Sequence, residues 1–149
     1  MGTRRNKDWL SEKTYHSIYR RVPRLCVDFV IQDQRGIVLS RRDIPPAKGQ
    51  WHLPGGGVRM QERLETALRR ICREETGLTV RVEKIIGVIE YIRLGRWSHS
   101  VSIVYLVRPI RGKLRGSSQA RNISFFKSLP EHTLREVKDF LIENRLIRK

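Results

Sequence analysis

The chain has 149 residues, and its 31 basic side chains against 15 acidic ones give a formal net charge of +16. That length holds one domain with a full core and leaves little room for a second. No apolar run approaches the roughly 18–20 residues of a membrane helix, and no charged–apolar–small leader opens the chain. The basic residues are scattered rather than gathered in one tail. They favour polyanionic partners such as nucleotides, RNA or phosphorylated sugars, without choosing among them. The two cysteines, Cys26 and Cys72, read as buried thiols rather than a disulfide framework, so a reducing, cytoplasmic setting is expected.

In chain order, Asp8 to Arg20 reads as a short helix with Trp9, Leu10, Tyr15, Ile18 and Tyr19 supplying apolar surface before Pro23. Leu25 to Gln32 is an apolar, β-branched run, Asp33 to Gly36 is a turn, and Ile37 to Ser40 returns as the second arm of a hairpin. A glycine- and proline-punctuated stretch from Pro46 to Gly57 leads into a helix that ends near Gly77. Thr79 to Ile92 and Val101 to Val107 read as long strands, joined by a loop with Arg93, Gly95, Arg96, Trp97 and His99. Pro109 to Arg121 reads as a glycine–serine loop and Ile123 to Phe126 as a last short strand. Leu134, Val137 and Leu141 then give a final amphipathic helix. Strands flanked by helices predict a three-layer α/β/α arrangement.

The central helix carries the chemistry. At about 100° per residue, Leu64, Leu68, Ile71 and Cys72 share one face that would dock on a sheet, while Arg63, Arg69 and Arg73 point largely away from it. Glu75 breaks this division, because it projects on the apolar side, where a carboxylate needs a cation or hydrogen bonds. Glu74 sits beside it, about one turn beyond Arg70. Two adjacent carboxylates repel, and a divalent cation bound by oxygen ligands, Mg²⁺ or Mn²⁺, is the natural neutraliser. An ordinary salt-bridged helix end, with Gly77 as its C-cap, is the bland alternative.

The spacing decides between them. Gly56, Glu62, Arg70, Cys72, Glu74, Glu75, Gly77 and Leu78 fall in register with the signature of the Nudix hydrolases, and Ile71 stands where that signature has a glutamate. The resemblance implies a mixed sheet between helices with a loop–helix–loop box. It covers roughly residues 24–149 and leaves residues 1–23 as a helical extension. It further implies that the Gly56 carbonyl, Glu74 and Glu75 ligate metal, and that Glu62 binds metal through water or orients Arg70. Glu62, Arg70, Glu74 and Glu75 are thus the expected catalytic set.

Beyond the box, residues 22–58 resemble the GDP-mannose mannosyl hydrolases, a Nudix branch that cleaves nucleotide sugars at the sugar carbon and likewise carries an apolar residue where Ile71 stands. This resemblance carries over Asp28 in the first strand, Arg42 as a residue that steadies the leaving diphosphate, and Gln119 as an amide completing the metal shell. Gly57 and Ala120 stand where that branch has an arginine and a histidine base, and Glu74 is retained where the branch can lack it. His99 is then the candidate for a replacement base, and Trp97 or an N-terminal tyrosine could stack on a nucleobase. Attack at phosphorus of a nucleoside diphosphate linked to another group is the favoured expectation. Glycosyl cleavage of a nucleotide sugar and a non-catalytic nucleotide- or RNA-binding module are the alternatives. Nucleic acid is an optional partner, and a homodimer stays open.

Overall fold

The protein is described by a computed structural model covering residues 10–45, 47–92 and 99–148. Helix α1 spans Glu12–Tyr19 and is capped by Ser11, whose side chain accepts from the Thr14 amide at 3.2 Å. Leu10 and Ser11 precede this helix, and Asp8 and Trp9, where the helix is expected to begin, lie outside the described residues. Strand β1 (Arg24–Asp33) and β2 (Gly36–Arg41) form the expected hairpin. Two short strands follow, β3 (Trp51–His52) and β4 (Gly55–Gly57), inside the stretch that read as an irregular entry. The rest is α2 (Leu64–Thr76), β5 (Leu78–Ile92), β6 (His99–Gly112), β7 (Ile123–Phe126) and α3 (Arg135–Glu143).

The sheet runs β3-β2-β1-β6-β5, with β4 paired to β1 and β7 to β2. β1 and β6 are parallel and the other pairs antiparallel, so the sheet is mixed. β6 continues to Gly112, so Pro109 to Gly112 is strand rather than loop. There it pairs with the beginning of β5, whose partner strand the glycine-and-proline signal hid.

Alternation along β1 builds two cores. Val27, Phe29 and Ile31 face α2 and meet its Ala67, Leu68, Ile71 and Cys72. Val30 faces the other way, with Leu39, Ile89, Tyr91 and Val104, onto Val137, Phe140 and Leu141 of α3. The result is the predicted α/β/α layering, with both cysteines buried and reduced. α3 lies close enough that a Cβ on Gly87 of β5 would come within 2.8 Å of the Phe140 ring. Among the described residues no helix is long and apolar enough to cross a membrane.

Candidate active site

The box helix is fixed first by its apolar face. Ile71 is fully buried, and a Cβ on Gly56 would sit 3.3 Å from its Cδ1, so the isoleucine fills the space directly beneath the β4 backbone. Gly77 ends the helix in the left-handed conformation, φ +74°, with its N–H donated to the Arg73 carbonyl. β5 can therefore turn away at once.

Just before α2, Glu62 closes the guanidinium of Arg70, which lies in the middle of the helix. Arg70 Nε and Nη2 donate to the two carboxylate oxygens at 2.9 Å each, and Nη2 also donates to the Gly57 carbonyl at 3.1 Å. Glu62 additionally accepts the Arg59 amide at 3.1 Å. The Arg70 hydrogen bonds hold the Glu62 carboxyl below its usual pKa, and Glu62 in turn raises that of Arg70. This pair ties loop to helix. Of the two roles expected for Glu62, the geometry is that of orienting Arg70.

The far end of α2 is arranged differently. Glu74, its side chain 39% exposed, makes a 3.5 Å contact to Arg70 Nη1. Glu75 is half-buried, and its Oε2 accepts Ser117 Oγ at 2.7 Å. Arg115 donates to the Arg73 and Glu74 carbonyls at 3.1 and 3.3 Å, so the loop after β6 is strapped across the helix end. Gln119 lies in this loop with its side chain exposed. Its backbone N–H donates to Ser117 Oγ, and its carbonyl accepts the Asp43 amide. Ser117, which sequence reasoning passed over as one of two loop serines, is thus the side chain that reaches Glu75.

Arg42 belongs to the same neighbourhood. Burial holds its pKa below the usual arginine value, the positive charge of Arg24 adds to that, and the negative charge of Glu75 opposes it. Arg24, which the sequence did not single out, donates to the Tyr15 hydroxyl of α1. Burial works against its charge, but Cys26 and Tyr15 outweigh that and keep its pKa above the ordinary value. Arg42 thus lies between a second guanidinium and the Glu75 carboxylate, and paired positive charges of this kind suit a phosphate.

Arg24, Cys26 and Asp28 share one face of β1 and are registered against Ser100, Ser102 and Val104 of β6. Asp28 is 6% exposed. Tyr91 donates to its Oδ2 at 2.7 Å, and Ser102 also hydrogen-bonds it. Burial nevertheless raises its pKa to about 6. A Cβ on Gly55, the residue opposite Asp28 in β4, would collide with Asp28 Oδ1, so only glycine leaves room for the carboxylate there. Its nearest partners are hydroxyls, with Arg24 a weaker electrostatic neighbour.

The structure therefore gathers Gly56, Gly57, Glu62, Arg70, Glu74 and Glu75 around one helix, with Arg42 near Glu75, while Asp28 points to the other face of β1, toward Tyr91. His99 sits on the opposite face of β6 from Ser100 and Ser102, away from Asp28. Ala120 is buried and closes a backbone bridge with Ser117. Trp97 lies outside the described residues. Among the described residues no three His, Cys, Asp or Glu side chains converge on one point. Ile71, where the family signature has a glutamate, is fully buried. The available donors are Glu74, Glu75 and the Gly56 carbonyl, an all-oxygen set that fits a hydrated hard cation, which keeps several waters.

The comparisons agree with this geometry. The model of the NUDIX domain matches residues 22–145, and the chain belongs to that family. It is 36% identical over 104 residues to the ADP-ribose pyrophosphatase of Methanocaldococcus jannaschii, a match covering 70% of this chain and 62% of that protein. It is 37% identical over 82 residues to the low-salt glycan biosynthesis protein Agl8 of Haloferax volcanii, covering 55% of this chain and 53% of that one. The matches thus span between half and two-thirds of those relatives' own lengths. Among solved structures, the MutT NUDIX hydrolase of Burkholderia pseudomallei superposes with a TM-score of 0.74 at 28% identity, over 81% of this chain and 97% of that one.

Proposed function

We propose that the chain is a Mg²⁺-dependent hydrolase of a nucleoside diphosphate linked to another moiety, with water attacking phosphorus. The observation that carries this reading is the far end of α2. There Glu74 and Glu75 stand next to each other, Ser117 holds Glu75, and Arg42 supplies positive charge near it, with Arg24 close to Arg42. Glu74, Glu75 and the Gly56 carbonyl would hold the cation, with Mn²⁺ as a substitute. When bound, it would polarise the phosphoryl oxygens and make water a better nucleophile. Arg70 keeps the Gly57 carbonyl and Glu62 in place, so the glycine loop is positioned before substrate arrives. Arg42 and Arg24 would offset the charge that gathers on the departing phosphate as the new P–O bond forms and the bridging one breaks. The relatives named as an ADP-ribose pyrophosphatase and a glycan biosynthesis protein support a nucleotide-linked sugar as substrate.

Cleavage at the sugar carbon is the second reading, favoured by one observation: the buried Asp28 carboxylate beside Gly55. Against it, the two positions that would supply a base are filled by the buried Ala120 and by His99 on the other sheet face. Turnover of ADP-ribose and GDP-mannose in ¹⁸O-water decides between them. Label on a phosphate product is the expected result. Label on the released sugar would overturn attack at phosphorus. No turnover of either, with salt-sensitive RNA binding, would instead indicate a binding module.

A further inference from the structure

A cavity of about 490 Å³ opens where the tip of the β1–β2 hairpin meets the start of β5 and the end of β6. That volume falls within the roughly 300–1,000 Å³ usual for small-molecule sites. β1 runs from Arg24 to Asp33, and its steps of about 3.3 Å put the cavity roughly 30 Å along the strand from Arg24. The chemistry proposed above makes no use of it.

Its walls are of two kinds. Leu78 and Leu114 pack with the core beneath α2 and form an apolar back. Ile110 adds to it as the extra residue of a β-bulge, because Thr79 pairs with Arg111 while Val80 pairs with Pro109. A bulge re-aims a side chain, and this one leaves Ile110 58% exposed. The rest is charged, with Arg35, Arg111 and Lys113 set against Asp33. Asp33 is already engaged: it accepts Arg35 Nε and Nη2 at 3.1 and 2.6 Å, which holds its pKa below the usual carboxylate range. The Arg35 guanidinium also stacks over Phe125, 3.9 Å from the ring centre. Arg111 and Lys113 are exposed, and among the described residues neither forms an ion pair.

Like charges gathered round one concavity raise its potential and favour an anion. A guanidinium already fixed by a carboxylate and a ring has little freedom left to lose on binding. Phosphate carries several strong acceptor oxygens and can meet all the cations of this wall at once, whereas a carboxylate is satisfied by a single fork. We propose that this cavity binds a phosphate group, held by Arg35, Arg111 and Lys113. The phosphate is either the free ion or the end of a small phosphorylated molecule whose organic part lies on Ile110 and Leu114. This is a second anion site, separate from the one at the end of α2.

Calorimetric titration of the whole chain in metal-free buffer, with inorganic phosphate and separately with AMP, tests this. The double variant Arg111→Gln/Lys113→Gln should weaken phosphate binding about tenfold or more. Arg42→Ala alters the catalytic site, and Arg135→Gln/Lys138→Gln removes two charges from exposed positions of α3; each should stay within about twofold of wild type. AMP binding tighter than phosphate, with the gain removed by Ile110→Ser, assigns the phosphorylated molecule. AMP binding no tighter than phosphate assigns the free ion. Equal losses in the two double variants would show that net charge alone is read, and the proposal then fails. It fails too if Arg42→Ala weakens binding as much as the cavity variant does, because the phosphate then sits at the catalytic site, or if the wild type binds neither probe.

Discussion

Two carboxylate–arginine groups lie on one helix, and they are built in opposite ways. At the start of α2, Glu62 and Arg70 satisfy each other through two 2.9 Å bonds, and their remaining capacity goes to the backbone of the glycine loop. At its end, Glu74 contacts Arg70 at 3.5 Å, while Glu75 accepts from a serine and lies near Arg42, which Arg24 in turn repels. A closed pair fixes geometry, because neither partner has much left to offer a ligand. The open group instead sets like charges side by side, Glu74 beside Glu75 and Arg42 near Arg24, an arrangement that a cation and a phosphate would suit. The same residue types thus serve structure at one end and chemistry at the other.

Glu75→Gln breaks the open group most directly. Turnover should fall by about 10²–10⁴-fold, with far-UV circular dichroism and the chemical-denaturation midpoint near wild type. Mg²⁺-dependent thermal stabilisation should shrink with it. Near-native activity at matched Mg²⁺ would show that the open group is idle.

Removing one partner of the closed pair should read out as stability instead. Arg70→Ala leaves Glu62 half-satisfied in a largely enclosed site and should cost about 2–4 kcal/mol by urea unfolding. Glu62→Gln, which keeps one acceptor, should cost less. If Arg70→Ala is as stable as wild type yet inactive, the contrast between the ends is wrong.

Arg42 and Arg24 sharpen the comparison further. Each replaced by Ala should weaken substrate binding several-fold. Because the two repel, the double variant should lose less than the product of the single effects, as a double-mutant cycle of kcat/KM would show.

The smallest expected effect is on pH dependence. Asp28, with a pKa raised to about 6, adds stability that is complete below its unfolded value near ~4 and lost as pH rises through 6. His52, lowered to about 4 mainly by burial, adds stability that is complete above ~6.5 and lost as pH falls through 4. Over that shared window the two slopes oppose each other, so wild-type stability should be nearly flat. Asp28→Asn removes one slope: the variant should melt a few degrees higher at pH 7.5 and lose stability more steeply on acidification. Parallel melting curves against pH for both proteins would contradict the burial of Asp28.

Much of the site was legible along the chain. The box residues lie within one helix and the loop before it, so fixed backbone geometry converts spacing directly into a face, and the carboxylate out of place on the apolar side gave Glu75 away. Ile71 beneath Gly56 was readable for the same reason. The register of β3 and β4 inside a glycine-rich stretch was not, because their pairing partners are distant in sequence and carry the signal.

What only the tertiary structure decided is which distant residues meet. Arg24 looked like one basic residue among 31, and Ser117 like loop filler. β1, α1 and the loop after β6 had to assemble before Tyr15 could hold Arg24 or Ser117 reach Glu75. Tyr91 reaches Asp28 across the sheet only because β5 lies beyond β6 there. Local spacing is set by covalent geometry and can be read from the chain. Contacts across long loops are chosen by packing and desolvation of the whole fold, and no local pattern encodes them.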